Sequence, residues 1–227
     1  MSWLTAPQLD KLALAMSVSG IEKRGIIFDH KDDPERTAYI LLAGVARISC
    51  RNRKGQRALM MMVRPGMIPG LPQPAAGVSY HFRCEAVSNC EVGTLAMEAL
   101  IRIALGVKAG AFQQMADNCV GRWGAAQSRC LNFMSFTLGE RLALTLLELS
   151  DDFGTREARG TRLRVAARHK DLAELVGASR PRVSEQMIEF ERMKMISRGE
   201  GRLIVRCDEL QGFLLDSHPA LRQEVFA

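Results

Sequence analysis

HKDLAELVGASRPRVSEQMIEFERMKMI, residues His169 to Ile196, carries two helical apolar patterns on either side of a glycine. Leu172, Ala173, Leu175 and Val176 give the first pattern a side to bury, and Val183, Met187, Ile188 and Phe190 do the same for the second. Gly177 supplies the backbone freedom that a tight turn between two helices requires. Ser179 stands where a cap for the second helix belongs, and Pro181 falls in its first turn, where a missing amide hydrogen costs nothing.

This arrangement leaves Arg180, Arg182, Ser184 and Glu185 pointing outward from the start of the second helix. Arginine can donate two hydrogen bonds to guanine O6 and N7, while glutamate can accept from a cytosine amino group. The mixture therefore suits the reading of base edges better than a purely basic surface would. In such a pair the second helix enters the major groove and the first, with Lys170, crosses the phosphate backbone. An ordinary helical hairpin with a solvated charged face has the same two-helix pattern, so the flanking segments decide between the readings.

On the C-terminal side, MISRGEGRLIVRC (Met195 to Cys207) reads as a two-stranded turn, or wing, offering Arg198, Arg202 and Arg206 to phosphates. With Leu163 to Val165 as a preceding strand, the whole becomes a winged helix. Between Arg156 and Arg206 thirteen basic residues stand against seven acidic ones, although acidic residues bound the segment on both sides. The chain as a whole has 227 residues and a formal charge of +6, which favours a polyanionic partner without choosing among polyanions.

Upstream, Leu138 to Phe153 carries Leu142, Leu146 and Leu149 at helical spacing and ends before Gly154, with Thr155 to Gly160 expected as a polar connector. From Ala111 to about Thr137, Phe112, Cys119, Ala126 and Phe133 recur every seven positions, with Ala116, Trp123 and Cys130 on a second track. A sustained seven-residue repeat marks a seam suited to a second helix, so these residues are the expected dimer interface. Gly121 and Gly124 lower helix propensity, which keeps open a helix packed only on its own domain.

From Ile21 to Val92 short apolar stretches alternate with glycine and proline turns, including Arg53 to Gln56. Candidate strands are Gly25 to Phe28, Tyr39 to Ala43, Val45 to Cys50, Arg57 to Val63, Phe82 to Val87 and Glu91 to Leu95, with a short helix at Met97 to Leu105. Many short strands with regular turns predict a barrel or sandwich.

KRGIIF (Lys23 to Phe28), YILLAGVARI (Tyr39 to Ile48), RPGMIPG (Arg64 to Gly70) and, most specifically, KDLAELVGASRPRVSE (Lys170 to Glu185) resemble the motifs of the cyclic-AMP receptor protein and fumarate-nitrate regulator (CRP/FNR) family. The resemblance covers nearly all of the chain. It implies an α+β protein with an N-terminal double-stranded β-helix (a cupin-like jelly roll), a long dimerisation helix and a C-terminal winged helix-turn-helix. The corresponding expected domains are a cyclic-nucleotide-binding-like sensor over 1–107, the dimerisation helix over 108–137 and the DNA-binding domain over 138–227.

The implied function is transcription regulation by a cytoplasmic homodimer on a two-fold symmetric operator in double-stranded DNA, with RNA polymerase as a further partner. By the same resemblance Arg180 contacts a base or phosphate and Ser179 a phosphate. Pro181 and Glu185 depart from the cyclic-AMP receptor's residues, which implies a different operator.

The sensory side is less defined. The family's phosphate-binding positions fall near Gly70-Leu71 and Tyr80-His81, where the arginine that would pair a cyclic phosphate is missing, so no cyclic-AMP dependence is expected. Leu71, Tyr80, His81, Arg83 and Trp123 are the candidate effector pocket.

No cofactor is expected. Haem stays open through His81, Cys84 and Cys90, though a lone histidine fits a hydrogen-bonded wall residue better. Thiol redox sensing by Cys84 and Cys90 also stays open. The rival reading is a sensory module for a small molecule, haem or thiol state, whose winged helix touches protein instead of DNA.

The remaining observations exclude classes. The six cysteines show no CxxC pair or metal-ligand cluster and read as reduced, buried thiols. No nucleophile-base pairing or phosphate loop supports an enzyme. The first twenty residues do not read as a secretory leader, and no apolar run approaches a bilayer span, since even Leu59 to Val63 is bounded by Arg57 and Arg64.

Overall fold

A computed structural model describes residues 4–29, 37–51, 57–69, 81–105, 133–199 and 201–217. The chain divides into two compact units, Met1–Gln127 and Ser128–Ala227.

The N-terminal unit runs α1 (Ala6–Ala15), β1 (Ser17–Ile21), β2 (Ile26–Asp29), β3 (Thr37–Ala43), β4 (Ala46–Arg51), β5 (Arg57–Val63), β6 (His81–Ala86), β7 (Cys90–Ala96) and α2 (Met97–Leu105). Two antiparallel sheets result, ordered β1-β7-β3 and β2-β6-β4-β5. Phe28, Ile48, Val63 and Cys84 from one sheet and Leu41, Cys90 and Val92 from the other share one buried cluster, so the core lies between the sheets.

On the opposite face of the three-stranded sheet, Ala38, Ile40 and Leu95 pack with Leu12 of α1 and Leu100 of α2. Strand β3 is thus buried on both faces, which is why TAYILLA is almost continuously apolar. These facing sheets agree with the expected α+β class and double-stranded β-helix.

The strand expectations hold to within one to two residues, and β5 and α2 match at both ends. Helix α1 adds to the expected elements, and Thr5 and Gln8 have the spacing of a capping box at its start. Gln8 Oε1 accepts from the Thr5 amide at 2.8 Å, while its Nε2 donates 3.1 Å to the Ile103 carbonyl of α2. This buried polar side chain is thereby satisfied while it ties the two helices together.

The C-terminal unit begins, among described residues, with helical 133–135 and continues with α3 (Leu138–Phe153), β8 (Gly154–Glu157), β9 (Gly160–Leu163), α4 (His169–Val176), α5 (Arg180–Arg192), β10 (Ile196–Gly199), β11 (Arg202–Val205) and α6 (Cys207–Ser217). Helix α3 starts with a capping box: the Thr137 hydroxyl accepts from the Glu140 amide, and Glu140 Oε2 accepts from the Thr137 amide at 2.7 Å. Leu142 and Leu146 have no exposed surface, and Leu149 and Phe153 continue the buried stripe.

Two strand and connector expectations do not hold in this unit. Thr155 to Gly160 is not a connector but most of a hairpin, β8 paired with β9, in a four-stranded sheet ordered β10-β11-β9-β8. Exposed Thr155, Arg156 and Glu157 make an edge strand with no apolar alternation to betray it. The strand preceding the wing therefore ends at Leu163 instead of running from Leu163 to Val165, and it pairs with β11 through Thr161–Val205 and Arg162–Ile204. Helix α6 is a further addition; Leu210 and Leu214 are fully buried, and Phe213 meets Phe190 edge-on at 5.7 Å.

Of the expected dimer interface, Phe112, Ala116, Cys119, Trp123, Ala126 and Cys130 lie outside the described residues, and Phe133 alone is within them. No helix among the described residues is long and apolar enough to cross a membrane.

Candidate nucleic-acid interface

The turn between α4 and α5 is made by Gly177 in the left-handed region, at φ 63° and ψ 42°. Its amide, like that of Ala178, donates to the Ala173 carbonyl and closes the helix end. Arg141 of α3 braces this turn from behind, with Nε donating 3.1 Å to the Val176 carbonyl and Nη1 donating 2.6 Å to the Phe136 carbonyl. Its guanidinium carbon also lies 5.5 Å from the centre of the Phe133 ring.

Val183, Met187 and Phe190, spaced at i, i+4 and i+7, anchor α5 and are essentially inaccessible. Leu172, Ala173 and Val176 do the same for α4, with Leu175 only partly covered. Ile188, expected to face inward, is 65% exposed, because it lies about 100° around the helix from buried Met187.

Arg180, Arg182 and Glu185 are exposed at the start of α5, and Lys170 is exposed at the start of α4. Ser179 occupies the N-cap position with extended backbone and is exposed, but its hydroxyl makes no capping bond. Pro181 sits in the first turn as expected. Arg182 and Glu185 also border an open groove of about 490 Å³ whose far wall is Thr137, Leu138 and Gly139 at the start of α3.

Ser184, expected to point outward with Arg180, Arg182 and Glu185, is instead half-buried under α4, and its Oγ lies 2.8 Å from His169 Nδ1. On the other side of that imidazole, His169 Nε2 lies 3.2 Å from Arg198 Nη2, and Arg198 Nε donates 3.0 Å to Glu191 Oε1. Burial depresses the His169 pKa, and the positive charges of Arg198 and Arg180 lower it further against a smaller opposing effect of Glu191. Wing residue Arg202 is exposed and donates through Nη1 to the Arg164 carbonyl. Sequence reasoning gives His169 and Arg141 no part in this assembly; their partners lie up to 29 and 35 residues away along the chain.

The candidate effector residues are not gathered by the described structure. Leu71, Tyr80 and Trp123 fall outside it, and His81 is placed only as the first residue of β6. Cys84 points into the core while Arg83 takes the opposite face, where its Nη2 pairs with Asp29 Oδ2 at 3.3 Å beside the Arg47–Glu85 pair. Burial pushes the Cys84 thiol up to about 12, and it raises the pKa of Cys90 despite the Val45 and Ser88 carbonyls that accept from its Sγ. Thiols held protonated in this way are poor nucleophiles. Among the described residues no group of three His, Cys, Asp or Glu side chains could hold a metal ion.

Two helices joined through a left-handed glycine, with a β-hairpin beside them and a basic outward face, define a winged helix-turn-helix. Comparison with known proteins agrees: residues 140–213 match the family described as the Crp-like helix-turn-helix domain. The nitrogen fixation regulation protein FixK of Azorhizobium caulinodans is 27% identical over 194 residues, covering 82% of this chain and 74% of the relative. A CRP-like cAMP-activated global transcriptional regulator of Mycobacterium tuberculosis is 24% identical over 189 residues, covering 82% of each.

Among solved structures, FixK2 from Bradyrhizobium japonicum superposes with a TM-score of 0.70 at 20% identity, covering 87% of this chain and 96% of that one. At that identity the likeness concerns the fold. Residues 140–213 thus carry a Crp-like helix-turn-helix domain, and over most of its length the chain is similar to DNA-binding transcription regulators of the CRP/FNR type.

Proposed function

We propose that the chain acts as a cytoplasmic homodimer that sets two winged helices on a two-fold symmetric operator, with the sensor over 1–107, the dimerisation helix over 108–137 and the DNA-binding domain over 138–227. The observation that carries this reading is the outward placement of Arg180, Arg182 and Glu185 above an α5 anchored by Val183, Met187 and Phe190. Arg180, Arg182 and Glu185 read base edges; Lys170, Ser179, Ser184, Arg198 and Arg202 engage or align on the backbone. Two-fold symmetry follows from pairing identical reading heads on adjacent turns of the major groove.

Regulation proceeds without cyclic AMP, because the arginine that would pair the cyclic phosphate is missing near Tyr80-His81. RNA polymerase is the further partner, as the resemblance to that family implies.

Selection of bound fragments from a genomic pool tests the reading. A recurrent symmetric site is expected, and Arg180→Ala or Arg182→Ala should abolish its preference over scrambled DNA. Survival of the preference in both variants would refute the assignment of the reading helix. Affinity should also fall steeply with salt, with a logarithmic slope of about −0.9 per neutralised phosphate. A salt-insensitive interaction would favour the rival reading in which the winged helix contacts protein.

A further inference from the structure

The contacts around His169 form a closed chain over the face of the reading helix. Starting at Ser184 of α5, it passes to His169 of α4, then to Arg198 of β10, and returns to α5 at Glu191, two helical turns beyond its origin. A guanidinium has only hydrogens to offer, so Arg198 Nη2 must donate and His169 Nε2 must accept. The ring proton consequently resides on Nδ1 and is donated to Ser184 Oγ at 2.8 Å. Ser184 thereby keeps its own hydroxyl proton for an acceptor outside the protein.

We infer that His169 is a positioning residue for DNA reading, a neutral imidazole that locks the first helix, the reading helix and the wing into one surface. The inference rests on the winged-helix reading proposed above and names what holds its three parts in register. The charged groups facing the ring are Arg198 from the wing and Arg180 and Glu191 from the reading helix, with Lys170 and Asp171 following on its own helix. Both arginines oppose a proton on Nε2.

When that proton does bind, the acceptor that held Arg198 becomes a donor facing a cation, and the wing loses its tie to the first helix while Arg198 keeps its pair with Glu191. The added positive charge strengthens attraction to phosphates on every DNA sequence alike. Lost alignment weakens only the specific complex. Sequence discrimination therefore falls as His169 titrates.

The full chain is assayed on the site recovered by selection and on a scrambled duplex of equal length, at constant salt, from pH 8.0 to pH 5.5. The ratio of the two affinities in the unmodified protein should fall on acidification, by up to about fivefold, the equivalent of about 1 kcal/mol for one hydrogen bond. His169→Ala should lower the ratio by about the same factor at pH 8.0 and make it insensitive to pH. His169→Gln can donate to Ser184 and accept from Arg198 without ever charging. It should restore what alanine loses and remain level down to pH 5.5.

A His169→Ala protein that retains the full ratio at pH 8.0 would overturn the inference, as would a His169→Gln protein whose ratio falls with acid like the original. If His169→Ala does not fold, the glutamine variant decides. Failure to recover any preferred site would strike instead at the DNA-reading assignment itself.

Discussion

Gly177→Ala probes the turn on which the orientation of the reading helix depends. An alanine at φ 63° must accept left-handed backbone, which costs about 1–2 kcal/mol. Its Cβ would also stand 2.6 Å from Cε1 of Phe133, so the ring has to move. Phe133 is 49% exposed and has room to swing outward, which spares the full penalty of an overpacked core. What it forfeits is its stacking with Arg141, worth about 0.5–1 kcal/mol at an exposed site. The expected loss is therefore roughly 1.5–3 kcal/mol.

Gly201 in the wing supplies the control. It lies at φ 73°, and a Cβ added there would meet nothing within 4 Å, so Gly201→Ala should report the backbone cost alone. Guanidinium denaturation of the full chain, followed by circular dichroism, compares the two variants with Phe133→Ala and with the Gly177→Ala/Phe133→Ala pair. Removing the ring should return about 0.5–1 kcal/mol as a coupling energy. Equal destabilisation by the two glycine variants, with purely additive effects at Phe133, would refute a turn braced by the Phe133–Arg141 stack.

Three further outcomes are expected. Leu146 is wholly buried at the middle of α3, and Leu146→Ala should cost about 2–5 kcal/mol by denaturant titration, depending on how far the site collapses. Cys84, with its thiol pushed up to about 12, should stay unalkylated at pH 8 in the folded protein and react once denatured, as read by mass spectrometry; equal rates in both states would contradict its burial. The folded-state pKa of His169 is depressed, so the unfolded chain binds its proton first and stability must rise with pH. This contribution is retained above the unfolded imidazole value of about 6.5 and lost below it, so thermal midpoints should drop less between pH 8 and pH 5.5 in His169→Gln than in the original chain.

What sequence could determine here was whatever is written within one or two helical turns. The α3 stripe of Leu142, Leu146 and Leu149, the Gly177 turn, the anchors Val183, Met187 and Phe190, and the paired strands of the wing all follow from local period, caps and turn chemistry. Arg180, Arg182 and Glu185 were legible as outward groups for the same reason. The polar edge strand β8 was not, because an exposed strand has no alternation to read, and Ile188 was misplaced because periodicity cannot resolve a single 100° step at the border of an apolar face.

Only the tertiary structure decided the join of Ser184, His169, Arg198 and Glu191 and the brace of Arg141 behind the turn. These are hydrogen bonds between polar groups distant along the chain, and their geometry exists only after the apolar faces have packed and brought the helices and wing together.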